Sequence, residues 1–218
     1  MRALHQNGVD YGLFWGLHCA VCDLKMRHDR SPPVKLHVLR MTTPPPDPNR
    51  QPIALIGMMG SGKSTVGKRL ARALNRPFLD ADSELERRCG VPIQTIFELE
   101  GEEGFRQRES ELLRGIIGSP DLVLATGGGA VLRPENQAHL RQHCCVIYLQ
   151  ASLQDLWMRL RHDRSRPLLK AADPKARIAE LLRFREPIYQ SLAHYAVPTG
   201  RQAPERVVQD IMRMLDLR

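Results

Sequence analysis

Residues Gly57-Met58-Met59-Gly60-Ser61-Gly62-Lys63-Ser64-Thr65 fit the phosphate-binding pattern GxxxxGK[ST] and constrain this chain more than any other segment. They follow an apolar run, Pro52-Ile53-Ala54-Leu55-Ile56, that reads as a buried strand. They precede Val66 to Leu74, whose apolar residues recur at helical spacing and stop before Asn75-Arg76-Pro77. A strand, a glycine-rich loop and a helix start, in that order, let successive backbone N–H groups and the positive helix end converge on phosphate oxygens. Gly60, Ser61, Gly62, Lys63, Ser64 and Thr65 are therefore the candidate nucleotide-binding residues. Lys63 is suited to the outer phosphates as a point charge, and the Ser64 hydroxyl to a magnesium ion.

From residue 51 onward strand-like and helix-like segments alternate, the signature of a parallel sheet wrapped by helices. Strands are predicted at 53–56, 78–80, 122–125, 145–149 and 194–197. Helices are predicted at 63–74, 83–89, 101–117, 135–142, 152–161, 174–192 and 204–216. Ser83 with Glu86 reads as a capping box, and Ser152 with Asp155 as a second helix start. Residues 162–173 have no periodicity between two helices, so they are the candidate mobile lid. Residues 1–50 end in Pro44-Pro45-Pro46-Asp47-Pro48, which suits neither a helix interior nor a central strand. They are read as a mostly unstructured extension ahead of one domain at 51–218.

Charge narrows the partners. The formal net charge is +8, but residues 51–218 carry 25 basic against 20 acidic side chains, a moderate excess that suits small anionic molecules as well as it suits nucleic acid. Aromatic residues make up only 5% of the chain, little material for stacking nucleic-acid bases, and no nucleic-acid partner is expected. Five cysteines without a disulfide-like framework fit a reducing cytoplasm. The Cys19-Ala20-Val21-Cys22 pair has no second pair to complete a zinc site. The apolar stretch from Tyr11 to Val21 is well under the roughly 20 residues of a membrane-spanning helix.

Three further groups accompany the glycine-rich loop. Asp80-Ala81-Asp82 closes the second predicted strand, where open α/β sheets bind ligands, though an acid pair also suits a helix N-terminus. Thr126-Gly127-Gly128-Gly129 follows the third strand; three glycines there imply a sharp turn or a close backbone approach to a substrate or reacting phosphate. Arg106, Arg159, Arg161, Arg164, Arg166 and Arg185 offer guanidinium forks for carboxylate or phosphate, a role that most surface arginines do not have.

Taken together, these residues resemble the shikimate kinases, small P-loop kinases of the nucleoside monophosphate kinase type. The resemblance rests on the 57–65 loop, Asp80-Ala81-Asp82, Gly101-Glu102-Glu103-Gly104-Phe105-Arg106, Thr126-Gly127-Gly128-Gly129, Arg166-Pro167-Leu168-Leu169 and Arg185-Glu186-Pro187-Ile188-Tyr189, and covers about residues 51–218. It implies an α/β fold of the P-loop NTPase type: three layers, α/β/α, around a five-stranded parallel sheet with a mobile lid. It implies ATP-dependent phosphorylation of the 3-hydroxyl of shikimate, in a monomeric cytoplasmic enzyme without a membrane or nucleic-acid partner. Lys63, Asp82 and Arg166 would be catalytic. Arg159 and Arg166 would join the loop in holding ATP. Asp82, Arg106, Gly127, Gly128, Gly129 and Arg185 would hold shikimate, and Ser64 and Asp80 would hold Mg2+. Glu109, three residues beyond Arg106 on the same predicted helix face, would orient that guanidinium. Many relatives carry an acidic residue after the last strand, whereas this chain has Val197-Pro198-Thr199-Gly200-Arg201-Gln202-Ala203-Pro204.

Overall fold

The computed structural model describes residues 37–38, 47–48, 51–119, 121–163 and 171–217. Arg164, Arg166, most of the predicted lid and nearly all of residues 1–50 lie outside the described residues.

The most apolar run of the sequence becomes the centre of the sheet. Strand β2 (Ile53–Ile56) is wholly buried, flanked by β4 (Val123–Ala125) and β5 (Cys145–Gln150), with β3 (Phe78–Asp80) outside β4 and β6 (Tyr195–Pro198) outside β5. These five strands are parallel, as the alternation of segments predicts. The two-residue strand β1 (His37–Val38) adds antiparallel to the outer edge of β6; the sequence reading placed no strand there.

Side chains on successive strand residues point to opposite faces, and two cores result. Ile53, Leu55, Val123, Cys145 and Ile147 pack against α1 (Lys63–Ala73) and α7 (Pro204–Met214). Ala54, Ile56, Leu124, Val146 and Tyr148 face the other way. They pack on α3 (Ile93–Ile116), α4 (Pro134–His143), α5 (Leu153–Leu160) and α6 (Pro174–Leu192).

Two helix starts lie two or more residues from expectation. Helix α2 (Ala81–Cys89) begins two residues early, because the Asp80 side chain accepts from the Asp82 and Ser83 N–H groups and caps it. The predicted Ser83/Glu86 box does not form, and Glu86 accepts from the Ile93 N–H at 3.0 Å. Helix α3 starts at Ile93 rather than 101, with Gly101 at φ 72° and ψ −174° kinking it at the predicted start. Ser152 caps α5 as predicted, accepting from the Asp155 N–H. Because all five long strands run in parallel, the loops after each of them gather at one edge of the sheet.

Candidate active site

Two cavities adjoin at that edge, sharing Met59, Asp82 and Gly128 in their walls. The larger, about 460 Å³, lies over residues 60–66 at the start of α1, with Asp80, Arg159, Thr199 and Pro204 on its sides. Gly57, Gly60 and Gly62 all take positive φ, which lets the chain wrap tightly before α1 begins. Lys63 folds back over the loop, its Nζ donating to the Gly57 and Met58 carbonyls at 2.8 and 2.9 Å. Ser64 Oγ donates to Asp80 Oδ2 at 2.5 Å, so two hard oxygen donors stand side by side at the loop.

Arg159 braces this cavity from α5. Its guanidinium donates to the Gly60 carbonyl at 3.0 Å, to the Thr199 carbonyl at 2.5 Å and to the Gly200 carbonyl. Thr199 is itself tied to the end of β5, its N–H reaching the Gln150 carbonyl at 2.7 Å. The loop after β6 is thus fixed through its carbonyls by an arginine.

The second cavity, about 360 Å³, opens between α2, the two halves of α3 and the loop after β4. Arg106 and Arg185 are 6% and 3% exposed in its wall, and Glu109 is 2% exposed. Arg106 donates through Nη1 to Glu109 Oε2 at 2.7 Å and through Nη2 to Glu102 Oε1 at 3.2 Å. Its guanidinium also lies 5.0 Å from the centroid of the Phe105 ring. Burial pushes the Glu109 carboxyl above its usual range, opposed by the neighbouring Arg106 and Arg185. Neither Arg106 Nε nor Arg185 Nε has a hydrogen-bond partner among the described residues. Among the buried side chains two guanidiniums face one carboxylate, with Asp82, Glu86 and Glu102 more exposed around them, and the two unpartnered Nε–H groups are the donors left for a bound anion.

The three glycines form the sharp turn that the sequence reading allows, closed by the Ala130 N–H on the Gly127 carbonyl at 3.2 Å, and two of them also clear space for side chains of this chain. A Cβ on Gly129 would come within 2.6 Å of Arg106 Cζ, and one on Gly127 within 2.8 Å of Asp82 Oδ1 while colliding with Glu109 Oε1. The close approach is to side chains of this same chain, and it gives Arg106, Glu109 and Asp82 room to turn toward one cavity.

The structure therefore brings together Lys63, Ser64, Asp80, Asp82 and Arg159 on one side, and Arg106, Gly127, Gly128, Gly129 and Arg185 on the other. Arg161 is exposed and lines neither cavity. Sequence reasoning missed the first half of α3, where Ile93, Gln94 and Phe97 line the second cavity and Phe97 packs on Phe105 with ring centroids 4.6 Å apart. Ile93, Ile96 and Phe97 stand at i, i+3, i+4 just after Pro92, a signal that the glycine at 101 interrupted.

A family model described as shikimate kinase matches residues 59–216. The chain belongs to the shikimate kinase family. Shikimate kinase from Nitrosospira multiformis is 50% identical over 165 residues, 76% of this chain and 85% of the relative. That from Thioalkalivibrio sulfidiphilus is 52% identical over 161 residues, 74% of this chain and 85% of the relative. Among solved structures, shikimate kinase from Acinetobacter baumannii in complex with shikimate superposes with a TM-score of 0.75 at 42% identity, covering 76% of this chain and 93% of that one. As a member of the shikimate kinase family the chain is a small-molecule kinase with the P-loop NTPase fold.

Proposed function

We propose that this chain transfers the γ-phosphoryl group of ATP to the 3-hydroxyl of shikimate, feeding aromatic amino-acid biosynthesis. The carrying observation is the pair of buried guanidiniums, each with an unpartnered Nε–H, in a cavity that shares Asp82 with the cavity over the phosphate loop. That arrangement suits a small hydroxylated acid: Arg106 and Arg185 take its carboxylate, and Gly127, Gly128 and Gly129 line its other face. Asp82, common to both cavities, orients the attacking hydroxyl and receives its proton late in a loose transition state.

When bound, ATP supplies the transferable group and magnesium shields its charge. Residues 60–65 hold the phosphates, Lys63 neutralises the outer ones, and Arg159 walls the nucleotide cavity. The paired oxygens of Ser64 and Asp80 fit magnesium, which needs one or two protein donors beside phosphates and water. Arg166 is assigned to the transferring phosphate on the family resemblance alone, as it lies outside the described residues. Residues 51–218 form the kinase domain behind an N-terminal extension, and the enzyme works as a cytoplasmic monomer without nucleic-acid or membrane partners. No helix among the described residues is long and apolar enough to cross a membrane.

Esterifying or amidating the acceptor's carboxylate tests the carboxylate site. Leaving buried guanidiniums uncompensated costs about 3 kcal/mol or more, so the methyl ester of shikimate should react with kcat/KM at least about a hundredfold below shikimate. Equal rates for acid and ester would contradict the assignment of Arg106 and Arg185.

A further inference from the structure

Gly127 to Ala130 form a tight turn, closed by the Ala130 N–H donating to the Gly127 carbonyl at 3.2 Å. Gly128 and Gly129 are its central residues, and Gly129 has φ −105° and ψ 0°, the type I geometry. With glycine at the third position the alternative type II turn is open to the chain at no steric cost. The two forms differ by a flip of the peptide joining Gly128 to Gly129. That flip exchanges the directions of the Gly128 carbonyl and the Gly129 N–H.

The Gly128 carbonyl has a partner that resists such a flip. Tyr189 Oη, on α6 one turn beyond Arg185, donates to it at 2.5 Å. The phenol is fully buried and its ring stacks on Tyr148 with centroids 5.2 Å apart, so it has little freedom to follow a moving carbonyl. Burial pushes the Tyr189 hydroxyl up to about 12, against the lowering effect of Arg185, which keeps it a proton donor at working pH. No peptide bond among the described residues is cis, so the Gly129 N–H points opposite to the Gly128 carbonyl and away from Tyr189. Gly129 lines the acceptor cavity.

We propose that Tyr189 is a positioning residue for the acceptor: its hydroxyl locks the Gly128–Gly129 peptide in the type I orientation, which presents the Gly129 N–H to bound substrate. This assignment rests on the acceptor reading given above. Tyr189 does not line the cavity; its hydroxyl holds the peptide and also lies beside the Arg185 guanidinium, so the substrate-free cross-peak below, which reports the peptide alone, separates the lock from an effect through Arg185. Its place four residues after Arg185 couples two parts of one site, since the same helix turn carries the carboxylate-binding guanidinium and the lock on the glycine turn.

Tyr189→Phe keeps the ring and its stacking and removes only the donor. Losing one buried hydrogen bond that selects between two turn forms should raise the shikimate KM about tenfold, with the ATP KM and kcat within about twofold of wild type. A parallel rise in both KM values, or a lowered melting temperature with unchanged shikimate KM, would mean that Tyr189 is structural and would overturn the proposal. Tyr148→Phe, which removes a hydroxyl from the stacked partner, should leave the shikimate KM within twofold; a tenfold rise there would trace the effect to the ring pair and overturn the lock. A second measurement needs no substrate. In the free protein, a strong NMR cross-peak between Gly128 Hα and the Gly129 amide reports the flipped peptide. It should be weak in wild type and strong in Tyr189→Phe, and no difference would overturn the lock whatever the acceptor proves to be. If wild type were not stimulated by shikimate, the acceptor reading would fail on its own while the cross-peak still decided the turn.

Discussion

Arg106→Ala is expected to lower kcat/KM for shikimate by about a hundredfold to a thousandfold, almost entirely through KM. Arg106 is 6% exposed and pairs at 2.7 Å with a Glu109 carboxylate that burial already pushes toward protonation. Removing the guanidinium takes away one fork for the acceptor's carboxylate and leaves Glu109 with less to offset its burial. Breaking one side of a buried pair typically costs 3–5 kcal/mol, and the cost falls on the step that brings a second anion into the same cavity. Ground-state and transition-state binding suffer alike, because the carboxylate takes no part in bond making, so kcat should change little. Initial rates with shikimate varied at saturating ATP check this. An unchanged shikimate KM would show that the carboxylate binds elsewhere.

Lys63→Ala should act on the other half of the reaction, lowering kcat by about a hundredfold to a thousandfold while shikimate affinity stays within about twofold. Lys63 is only 8% exposed and its ammonium is already oriented by two loop carbonyls, so little reorganisation is needed when charge develops on the transferring group. Those carbonyls lose their partner in the variant, so ATP affinity should fall as well. Rapid-quench measurement of the phosphoryl-transfer step, beside shikimate binding by titration, separates the two effects. A variant that lost shikimate affinity as strongly as turnover would point to collapse of the shared wall at Met59 and Gly128 instead.

How far the sequence disclosed this molecule depends on whether a feature is local. The central strand at 53–56 and the loop and helix after it were legible because an unbroken apolar run, three positive-φ glycines and a helical period each act over a few residues. The pairing of Arg106 with Glu109 was legible for the same reason, being a contact three residues apart on one helix face. The start of α2 was misread because Asp80 competes with Ser83 for the cap and wins from the end of β3, where it also meets Ser64 from another element. The first half of α3 was hidden by Gly101, whose kink makes one helical span read as a loop followed by a helix. The sharp turn at Gly127–Ala130 was legible, but the second reason for Gly127 and Gly129 was not, since the atoms that exclude a Cβ come from residues 82, 106 and 109. Strand β1 owes its existence to the open edge of β6, and two residues carry no period of their own.

The most direct test of the central claim is ADP release by the purified full chain with ATP and magnesium, alone and with shikimate, gluconate or a nucleoside monophosphate. The account predicts stimulation by shikimate only, and loss of that stimulation in Asp82→Asn, where the carboxylate shared by the two cavities can no longer receive the proton. ADP release that ignores shikimate, or that responds equally to gluconate, would contradict it.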